Sequence, residues 1–247
     1  MSKVALITGG AGGIGSAICK RLALAGFSII IAYRNSQEKA QQLLTELDSS
    51  LGQDHQAWQV AVDNSERIAQ LAAKVKLHYG KLDALINNAG FSRFVAHDDL
   101  EGLDDALFDN IFVTNVRGAF AMIRAHKPLL NQAEGPVIIN ISSIAAKTGN
   151  GSNVAYCASK AALDSMTRSL ARALAPKIRV LSIAPGLVEG EYSKRLDINW
   201  NRAQKEATPL KRLALAEDVA EAVYVAVLHL PFSTGDIIAV DGGRRLS

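Results

Sequence analysis

Residues 3–15, KVALITGGAGGIG, decide the fold of this chain. Lys3–Thr8 is a short apolar run that predicts a buried strand, and from Ile14 onward apolar residues recur with a helical period. Glycine between the two elements allows a tight turn and lets backbone amides approach a pyrophosphate, whose charge is favoured by the positive end of a helix. Many glycine-rich loops are simple turns, but the place of this one between the first strand and the first helix favours a dinucleotide-binding loop.

The rest of the chain repeats the alternation of strand and helix. Apolar runs predict six further strands, at residues 28–33, 56–62, 82–87, 137–142, 178–183 and 237–240. Segments of helical period predict helices at residues 14–25, 36–49, 65–79, 104–131, 153–175 and 217–228. Seven strands interleaved with helices predict an α/β protein: a single-domain Rossmann fold over residues 1–247, with a doubly wound parallel sheet covered by helices on both faces.

The composition argues against several other classes of protein. The 247 residues are 49% hydrophobic and 21% charged, which is typical of a globular chain rather than a disordered or fibrous one. A formal net charge of +3, without any run of five or more like charges, argues against nucleic-acid binding. Cys19 and Cys157 are too few for a disulfide framework, the histidines show no metal-ligand spacing, and the apolar stretch near the N-terminus is too short for a signal or a membrane span. We therefore expect a soluble, cytoplasmic protein without a metal.

The end of the second predicted strand bears on the choice of dinucleotide. An NAD site has an acidic residue about 20 positions after the glycine loop, where it binds the ribose hydroxyls. Here the sequence is Tyr33, Arg34 and Asn35, without a carboxylate. Because a guanidinium pairs with a 2′-phosphate, Arg34 favours NADP(H) over NAD(H), unless it is only a solvated loop cation. Asp63, after the third strand, either accepts a hydrogen bond from the adenine amino group or caps the next helix, a role that Asn64 could also fill.

Tyr156 and Lys160 form the clearest chemical pair in the sequence. A spacing of four places both side chains on one face of a helix, one turn apart. A tyrosine has an ordinary pKa near 10, and an adjacent ammonium lowers that pKa because it favours the phenolate. The pair is therefore suited to proton transfer, although such pairs often lie on a helix surface without further function.

Short motifs follow one another along the chain in a fixed order. They are Thr8-Gly9-x-x-x-Gly13-Ile14-Gly15, Asn87-Asn88-Ala89-Gly90, Asn115, Ser143 at 13 residues before Tyr156, Tyr156-x-x-x-Lys160, Pro185-Gly186 and Asp241-Gly242-Gly243. In this order, and over essentially the whole chain, they resemble the short-chain dehydrogenase/reductase family. The resemblance implies a nicotinamide cofactor and hydride transfer between that cofactor and a carbonyl or secondary alcohol.

The resemblance also implies a role for each motif residue. Tyr156 would donate a proton to the alkoxide that forms on carbonyl reduction, and Ser143 would hydrogen-bond the same oxygen. Lys160 would bind the nicotinamide ribose, and Asn115 would hold a water that leads toward Lys160. Together with Arg34 and Asp63, the cofactor-binding residues are then Gly9, Gly13, Ile14, Gly15, Asn88, Ala89, Gly90, Tyr156, Lys160, Pro185, Gly186 and Val188.

The substrate is less well determined by the sequence. Residues 148–151, TGNG, resemble 3-oxoacyl-[acyl-carrier-protein] reductases, which predicts a 3-oxoacyl thioester of the carrier protein or of coenzyme A. Residues 132–134 lack the basic residues that those enzymes present to the carrier, and Lys177 is the nearest compensating cation. Residues 176–180 resemble pteridine reductases, which carry an arginine in place of Gly13. A pteridine, a sugar or another small carbonyl substrate therefore stays open, as does a different class of protein, a non-catalytic NADP(H)-binding sensor or scaffold.

The C-terminal half contains further predicted features. Gly190 stands where the family often has a threonine that contacts the cofactor, and residues 191–212 are either a mobile substrate lid or a surface helix. An apolar pocket is predicted from Phe91, Phe94, Leu187 and Trp200. The two long predicted helices carry more apolar residues than one sheet face can cover, among them Val116, Phe120, Leu163 and Met166. By resemblance this indicates helix pairing between subunits of a homodimer or homotetramer.

Overall fold

Seven parallel strands form the central sheet of the computed structural model, which describes residues 2–190 and 198–246. The strands are β1 (Lys3–Thr8), β2 (Phe27–Tyr33), β3 (Gln56–Gln59), β4 (Ala84–Asn87), β5 (Val137–Ile141), β6 (Arg179–Pro185) and β7 (Ile237–Val240). Their spatial order is β3-β2-β1-β4-β5-β6-β7, and each neighbouring pair runs parallel. The prediction of a doubly wound parallel sheet is confirmed.

Helices connect the strands and cover both faces of the sheet. They are α1 (Gly13–Leu24), α2 (Gln37–Glu46), α3 (Ser65–Tyr79), α4 (Asp105–Phe112), α5 (Ala119–Leu130), α6 (Ala145–Thr148), α7 (Val154–Leu174), α8 (Ile198–Ala207) and α9 (Ala216–Leu228). A π-helical segment, Val113–Gly118, joins α4 to α5, and a 3₁₀ turn spans Arg244–Leu246.

Each face of the sheet has its own apolar core. Successive strand residues point to opposite faces, so Ile31 of β2 packs with α1 and α9, whereas Ile30 packs with α3 and α5. Both isoleucines are fully buried, which explains why this strand is apolar throughout rather than alternating.

The strand order creates a crevice where the ligand of such a fold binds. β1 pairs with β2 on one side and with β4 on the other. The chain therefore builds the sheet outward from β1 first in one direction, through β2 and β3, and then in the other, through β4 to β7. In open α/β sheets, ligands bind beyond the carboxyl ends of the strands at such a reversal point. The predicted glycine loop follows β1 and therefore lies at this position.

Most predicted elements differ from the structure by one to three residues at an end, and two of the differences have an identifiable reason. β3 ends at Gln59 rather than at residue 62, because its last partner on β2 is Tyr33, after which β2 ends. The single helix predicted over residues 104–131 contains the π-helical segment, which hydrophobic periodicity does not distinguish from an α-helix.

The prediction that four apolar residues are available for helix pairing between subunits is wrong for one of them. Leu163 is only 2% exposed and belongs to the interior of the chain itself. Phe120 is 43% exposed, and Val116 and Met166 are half-buried. Leu163 is buried because α7 packs against β6, α4 and α6 as well as the π-helical segment.

No helix among the described residues combines the length and the apolar character needed to cross a membrane.

Candidate active site

The carboxyl ends of β4, β5 and β6 border a cleft of about 660 Å³. Gly90 follows β4, Ser143 follows β5 and Gly186 follows β6, and all three line the cleft together with Tyr156 and Lys160 of α7. Ser143, Tyr156 and Lys160, three of the predicted catalytic residues, therefore share one cleft. The loops after β4, β5 and β6 meet there because the carboxyl ends of parallel strands lie at the same edge of the sheet.

α7 places Tyr156 and Lys160 on successive turns beside the cleft. Lys160 Nζ lies 5.7 Å from the centroid of the Tyr156 ring and donates a 2.8 Å hydrogen bond to the carbonyl oxygen of Ile141, the last residue of β5. Lys160 is 5% exposed, and burial lowers the pKa of its ammonium to about 8, although the Asp164 carboxylate acts in the opposite direction. At neutral pH Lys160 is therefore largely a buried cation beside the phenol ring.

Ser143 and its neighbour Ser142 have different surroundings. Ser142 is 3% exposed, and its hydroxyl donates to the carbonyl oxygen of Lys160 over 3.5 Å. Ser143 is half-buried, and its Oγ accepts a 3.2 Å hydrogen bond from the amide of Ala145. Its hydroxyl hydrogen can still be donated to a substrate oxygen, which agrees with the choice of Ser143 from the motif spacing.

Asn115 lies in the π-helical segment and is 2% exposed. Its Oδ1 accepts from the amide of Phe91 over 2.8 Å, and its Nδ2 donates to the carbonyl oxygen of Phe91 and to Ser159 Oγ over 3.1 and 3.0 Å. Both hydrogens of the Asn115 side-chain amide are thus donated within the protein. The predicted water between Asn115 and Lys160 could therefore bind only to the remaining lone pair of Asn115 Oδ1. A β-carbon built on Gly90 would lie 3.5 Å from Asn115 Oδ1 and 3.7 Å from Lys160 Nζ, so the two side chains approach each other there.

Sequence reasoning missed Asn153, which caps α7 directly before Tyr156. Asn153 is fully buried, and its Oδ1 accepts a 2.7 Å hydrogen bond from the amide of Tyr156. An asparagine immediately before a helical segment is a known N-cap signal that could have identified it.

The glycine loop is shaped to hold a pyrophosphate. α1 begins at Gly13 without a capping side chain and without an acidic residue in its first turn, so its positive end can accept an anion. A β-carbon on Gly13 would meet nothing within 4 Å, which shows open space where the loop would receive phosphate. A β-carbon on Gly15 would lie 2.3 Å from the carbonyl oxygen of Gly9, so the close approach of helix and loop requires glycine at that position. These residues fit a dinucleotide.

The motif after β4 is fastened to this loop. Thr8 Oγ1 accepts hydrogen bonds from the amides of Asn88 and Ala89 over 3.0 and 2.9 Å. Asn88 Nδ2 in turn donates to the carbonyl oxygens of Thr8 and Gly9 over 2.9 and 3.2 Å. The two predicted cofactor segments are thus held together as one unit.

Arg34 and Asp63 also come together, at the ends of β2 and β3. Arg34 Nη2 lies 3.0 Å from Asp63 Oδ2, and the side chain of Arg34 is 60% exposed. The cap of α3 is Asn64, whose Oδ1 accepts from the amide of Arg67 over 3.0 Å. Of the alternatives for the start of this helix, the capping role therefore falls to Asn64, which leaves the Asp63 carboxylate available for another contact.

The predicted aromatic and aliphatic pocket is confirmed. Phe91, Phe94, Leu187 and Trp200 all line the cleft. Of the predicted lid, residues 191–197 lie outside the described residues. Most of the remaining lid residues form α8, and none of the residues of this helix is buried. α8 is thus a surface helix that also contributes a wall of the cleft.

The later motif residues lie on the same side of the sheet. Pro185, Gly186 and Val188 line the cleft with Ile14, and Val188 forms a parallel bridge with Ala214. At Gly190, a β-carbon would meet nothing within 4 Å, so a threonine would find space there.

Neither cysteine has the surroundings of a nucleophile. Burial raises the pKa of both the Cys19 and the Cys157 thiol, and both residues are buried. Among the described residues, no three His, Cys, Asp or Glu side chains form a group that could hold a metal ion.

Comparison with known proteins places this arrangement in a family. The family model for the short chain dehydrogenases matches residues 3–199. The chain is 32% identical to the 3-oxoacyl-[acyl-carrier-protein] reductase FabG of Staphylococcus aureus, over 100% of this chain and 99% of that protein. It is 34% identical to a candidate ketoacyl reductase of the granaticin polyketide synthase from Streptomyces violaceoruber, over 98% and 96% of the two chains. A crystal structure of a candidate short-chain dehydrogenase/reductase from Burkholderia xenovorans matches with a TM-score of 0.92 and 33% identity, over 100% of this chain and 99% of that one.

Proposed function

This chain belongs to the short-chain dehydrogenase family, and we propose on that premise that it uses NADPH to reduce a ketone, with a 3-oxoacyl thioester as the substrate class. The observation that carries the proposal is the buried Lys160 ammonium, 5.7 Å from the ring of Tyr156, in a cleft that Ser143 also lines. A protein that only binds a dinucleotide has no need of a phenol next to a buried cation.

The side chains of the cleft supply the proton chemistry of the reaction. When bound, the nicotinamide cofactor supplies the hydride that adds to the carbonyl carbon. Tyr156 donates its phenolic proton to the carbonyl oxygen as charge develops there, and Ser143 donates a hydrogen bond to the same oxygen. The Lys160 ammonium stabilises the phenolate that remains on Tyr156, which then recovers a proton from solvent.

Several described residues would hold the cofactor. Gly9, Gly13, Ile14 and Gly15 form the pyrophosphate loop, and Asn88, Ala89, Gly90, Pro185, Gly186 and Val188 surround the adjoining part of the crevice. Arg34 would bind the 2′-phosphate of NADPH, and Asp63, which contacts its guanidinium, would accept from the adenine amino group. Lys160 would bind the nicotinamide ribose.

The apolar wall of the cleft supports an acyl substrate, and the name of the Staphylococcus aureus relative points to the same class. Whether the thioester is carried by a protein or by coenzyme A is a narrower question. Lys177, the nearest cation to the expected carrier contact, donates a 2.8 Å hydrogen bond to the carbonyl oxygen of Ala133, and Glu134 beside it is exposed. Residues 132–134 thus lack the basic patch that an acidic carrier protein would contact, and the test panel includes thioesters of both the carrier protein and coenzyme A.

We further propose that the protein works in the cytoplasm as a homo-oligomer. Phe120 is exposed on α5, and Val116 and Met166 on the neighbouring segments are half-buried, so a second copy of the chain could cover them.

The test of the proposal is steady-state oxidation of NADPH against a panel of 3-oxoacyl thioesters, pterins, sugars and other carbonyls. We expect turnover with a 3-oxoacyl thioester, and a loss of about a thousandfold in kcat for Tyr156→Phe, because proton donation by a positioned acid contributes about 10²- to 10⁴-fold. NADPH binding should persist in Tyr156→Phe, measured by quenching of protein fluorescence. The absence of NADPH oxidation above background with every carbonyl would refute the enzymatic role and favour a sensor or scaffold, whereas equal turnover by the two proteins would refute the role of Tyr156.

A further inference from the structure

We propose that Asn153 is a positioning residue for proton transfer by Tyr156, because it fixes this tyrosine to the cleft wall formed by residues 91–94. The inference rests on the proposed function, since it concerns the same proton transfer. Phe91, Ser92 and Phe94 of this wall line the cleft, so their distance from the phenol helps to set the position of a bound substrate.

Asn153 uses both ends of its side-chain amide at this junction. Its Oδ1 accepts from the amide of Tyr156 over 2.7 Å, while its Nδ2 donates to the carbonyl oxygen of Arg93 over 2.7 Å and more weakly to Ser92 Oγ over 3.4 Å. The residue is fully buried, so these hydrogen bonds do not compete with water. A single side chain thus joins the backbone of Tyr156 to the backbone of the cleft wall.

The carbonyl side of Tyr156 is held by a second set of contacts. Ser159 Oγ donates to the carbonyl oxygen of Tyr156 over 2.8 Å and accepts from Asn115 Nδ2 over 3.0 Å. Asn115 also binds both backbone groups of Phe91. The two asparagines therefore connect the two backbone groups of Tyr156, its amide and its carbonyl, to the same short stretch of chain, Phe91 to Arg93.

Neighbouring contacts extend the same junction. The amide of Val95 donates to the carbonyl oxygen of Ser152 over 2.9 Å, and the hydroxyls of Ser92 and Ser152 are hydrogen-bonded to each other. The wall is consequently attached to the start of α7 at several successive residues, and a shift of one displaces the other.

A helix cap alone does not require asparagine, and this separates the two roles of Asn153. Serine at this position could still accept from the amide of Tyr156, but it is too short to reach the carbonyl oxygen of Arg93 as well. Asn153→Ser therefore keeps the cap and removes the link to the wall, whereas Asn153→Ala removes both.

We expect Asn153→Ser to fold normally and to bind NADPH with unchanged affinity, while kcat/KM for the ketone falls about ten- to a hundredfold, as expected for a small misplacement of reacting groups. Proton donation should become slower relative to the other steps. The solvent deuterium isotope effect on kcat should therefore rise, which a change that merely reduces the amount of folded enzyme would not cause.

The matched control is Asn64→Ser, since Asn64 caps α3 through the same type of hydrogen bond and lies outside the cleft. It should change neither kcat, KM nor the isotope effect. Asn153→Ala should lower the melting temperature more than Asn153→Ser does, because it also loses the cap.

Amide hydrogen exchange provides a readout that is independent of substrate. In Asn153→Ser, the segment 91–95 should exchange faster while the amide of Tyr156 remains protected; in Asn64→Ser, neither should change. The inference is overturned if Asn153→Ser has the exchange of the unmutated protein in segment 91–95, or if its activity loss occurs without any change in the isotope effect. Failure of the unmutated protein to reduce any carbonyl would refute the proposed function instead, and the exchange data would still decide whether Asn153 links Tyr156 to the wall.

Discussion

Arg34 and Asp63 form an ion pair of 3.0 Å that joins the ends of β2 and β3. The Arg34 carbonyl oxygen also accepts a 2.8 Å hydrogen bond from Gln59 Nε2, so the backbone that carries the guanidinium is anchored as well. An exposed ion pair of this kind contributes at most about 1 kcal/mol, and the guanidinium has enough donors to bind a phosphate in addition. The ion pair therefore holds the Arg34 side chain in place and leaves other N–H donors of its guanidinium available to bind a phosphate.

This arrangement predicts a preference for NADPH that depends on Arg34. A hydrogen bond to a charged group contributes about 1.5 to 3 kcal/mol, so Arg34→Gln should weaken NADPH binding about tenfold or more and leave NADH binding unchanged. Arg34→Asp should reduce the difference in affinity between NADPH and NADH further, because the aspartate carboxylate repels the 2′-phosphate of NADPH. Isothermal titration of the unmutated protein and the two variants with both cofactors measures the six affinities. Comparable affinities of the unmutated protein for NADPH and NADH would contradict the preference.

The sequence predicts the parts of this site that are local in the chain. The glycine loop, Tyr156 with Lys160, and the strand ends that precede Asn88 and Ser143 each depend on a short pattern. A parallel sheet then brings these strand ends to one edge, so the predicted cleft follows from topology alone.

The sequence does not reveal contacts between distant segments. The Arg34–Asp63 pair, the link from Asn153 to Arg93 and the contact of Asn115 with Ser159 join residues 29, 60 and 44 positions apart, and no periodicity specifies them. The π-helical segment around Asn115 is missed for a similar reason, because its apolar pattern is that of the helices on either side.

Lys160 should give the reductase reaction an upper pH limit. Burial lowers the pKa of its ammonium to about 8, so the side chain is charged below that pH and loses its charge above it. Because the charge stabilises the Tyr156 phenolate, kcat for carbonyl reduction should fall as the pH rises through about 8. The Asp164 carboxylate raises the pKa of Lys160, so Asp164→Asn should move this decline to lower pH.

The measurement is the pH profile of kcat for the unmutated protein, for Asp164→Asn and for Glu134→Gln. Glu134 is exposed at the opposite end of β5 from the cleft, so its replacement should leave the profile in place. A profile of Asp164→Asn identical to that of the unmutated protein would exclude this coupling.

Phe120 should determine the oligomeric state. Its ring is 43% exposed on α5, and the Arg124 guanidinium lies 5.9 Å from the ring centroid. A second cation beside Arg124 opposes the burial of this face against a second copy, so Phe120→Lys should shift sedimentation toward a smaller species. Leu77→Lys is the control, because Leu77 is 91% exposed on α3. If the unmutated protein sediments as a monomer, the proposed interface is wrong.

His126 should make the fold sensitive to acid. The residue is fully buried on α5, where its Nδ1 hydrogen-bonds the carbonyl oxygen of Met122 over 2.9 Å. Burial lowers the pKa of the imidazole to about 4, from the ordinary value of 6.5 that it has in the unfolded chain. Between pH 6.5 and 4 the unfolded chain therefore takes up a proton that the folded chain does not, so the free energy of unfolding falls as the pH falls.

The difference in pKa corresponds to about 3 kcal/mol once the pH is below 4, and to almost nothing above pH 7. In His126→Gln, the loss of unfolding free energy between pH 7 and pH 4 should therefore be smaller by about this amount, measured by urea denaturation at each pH. His229→Gln is the matched control, because His229 is exposed and should retain the pH dependence of the unmutated protein. Parallel pH curves for His126→Gln and the unmutated protein would show that another buried group causes the acid sensitivity.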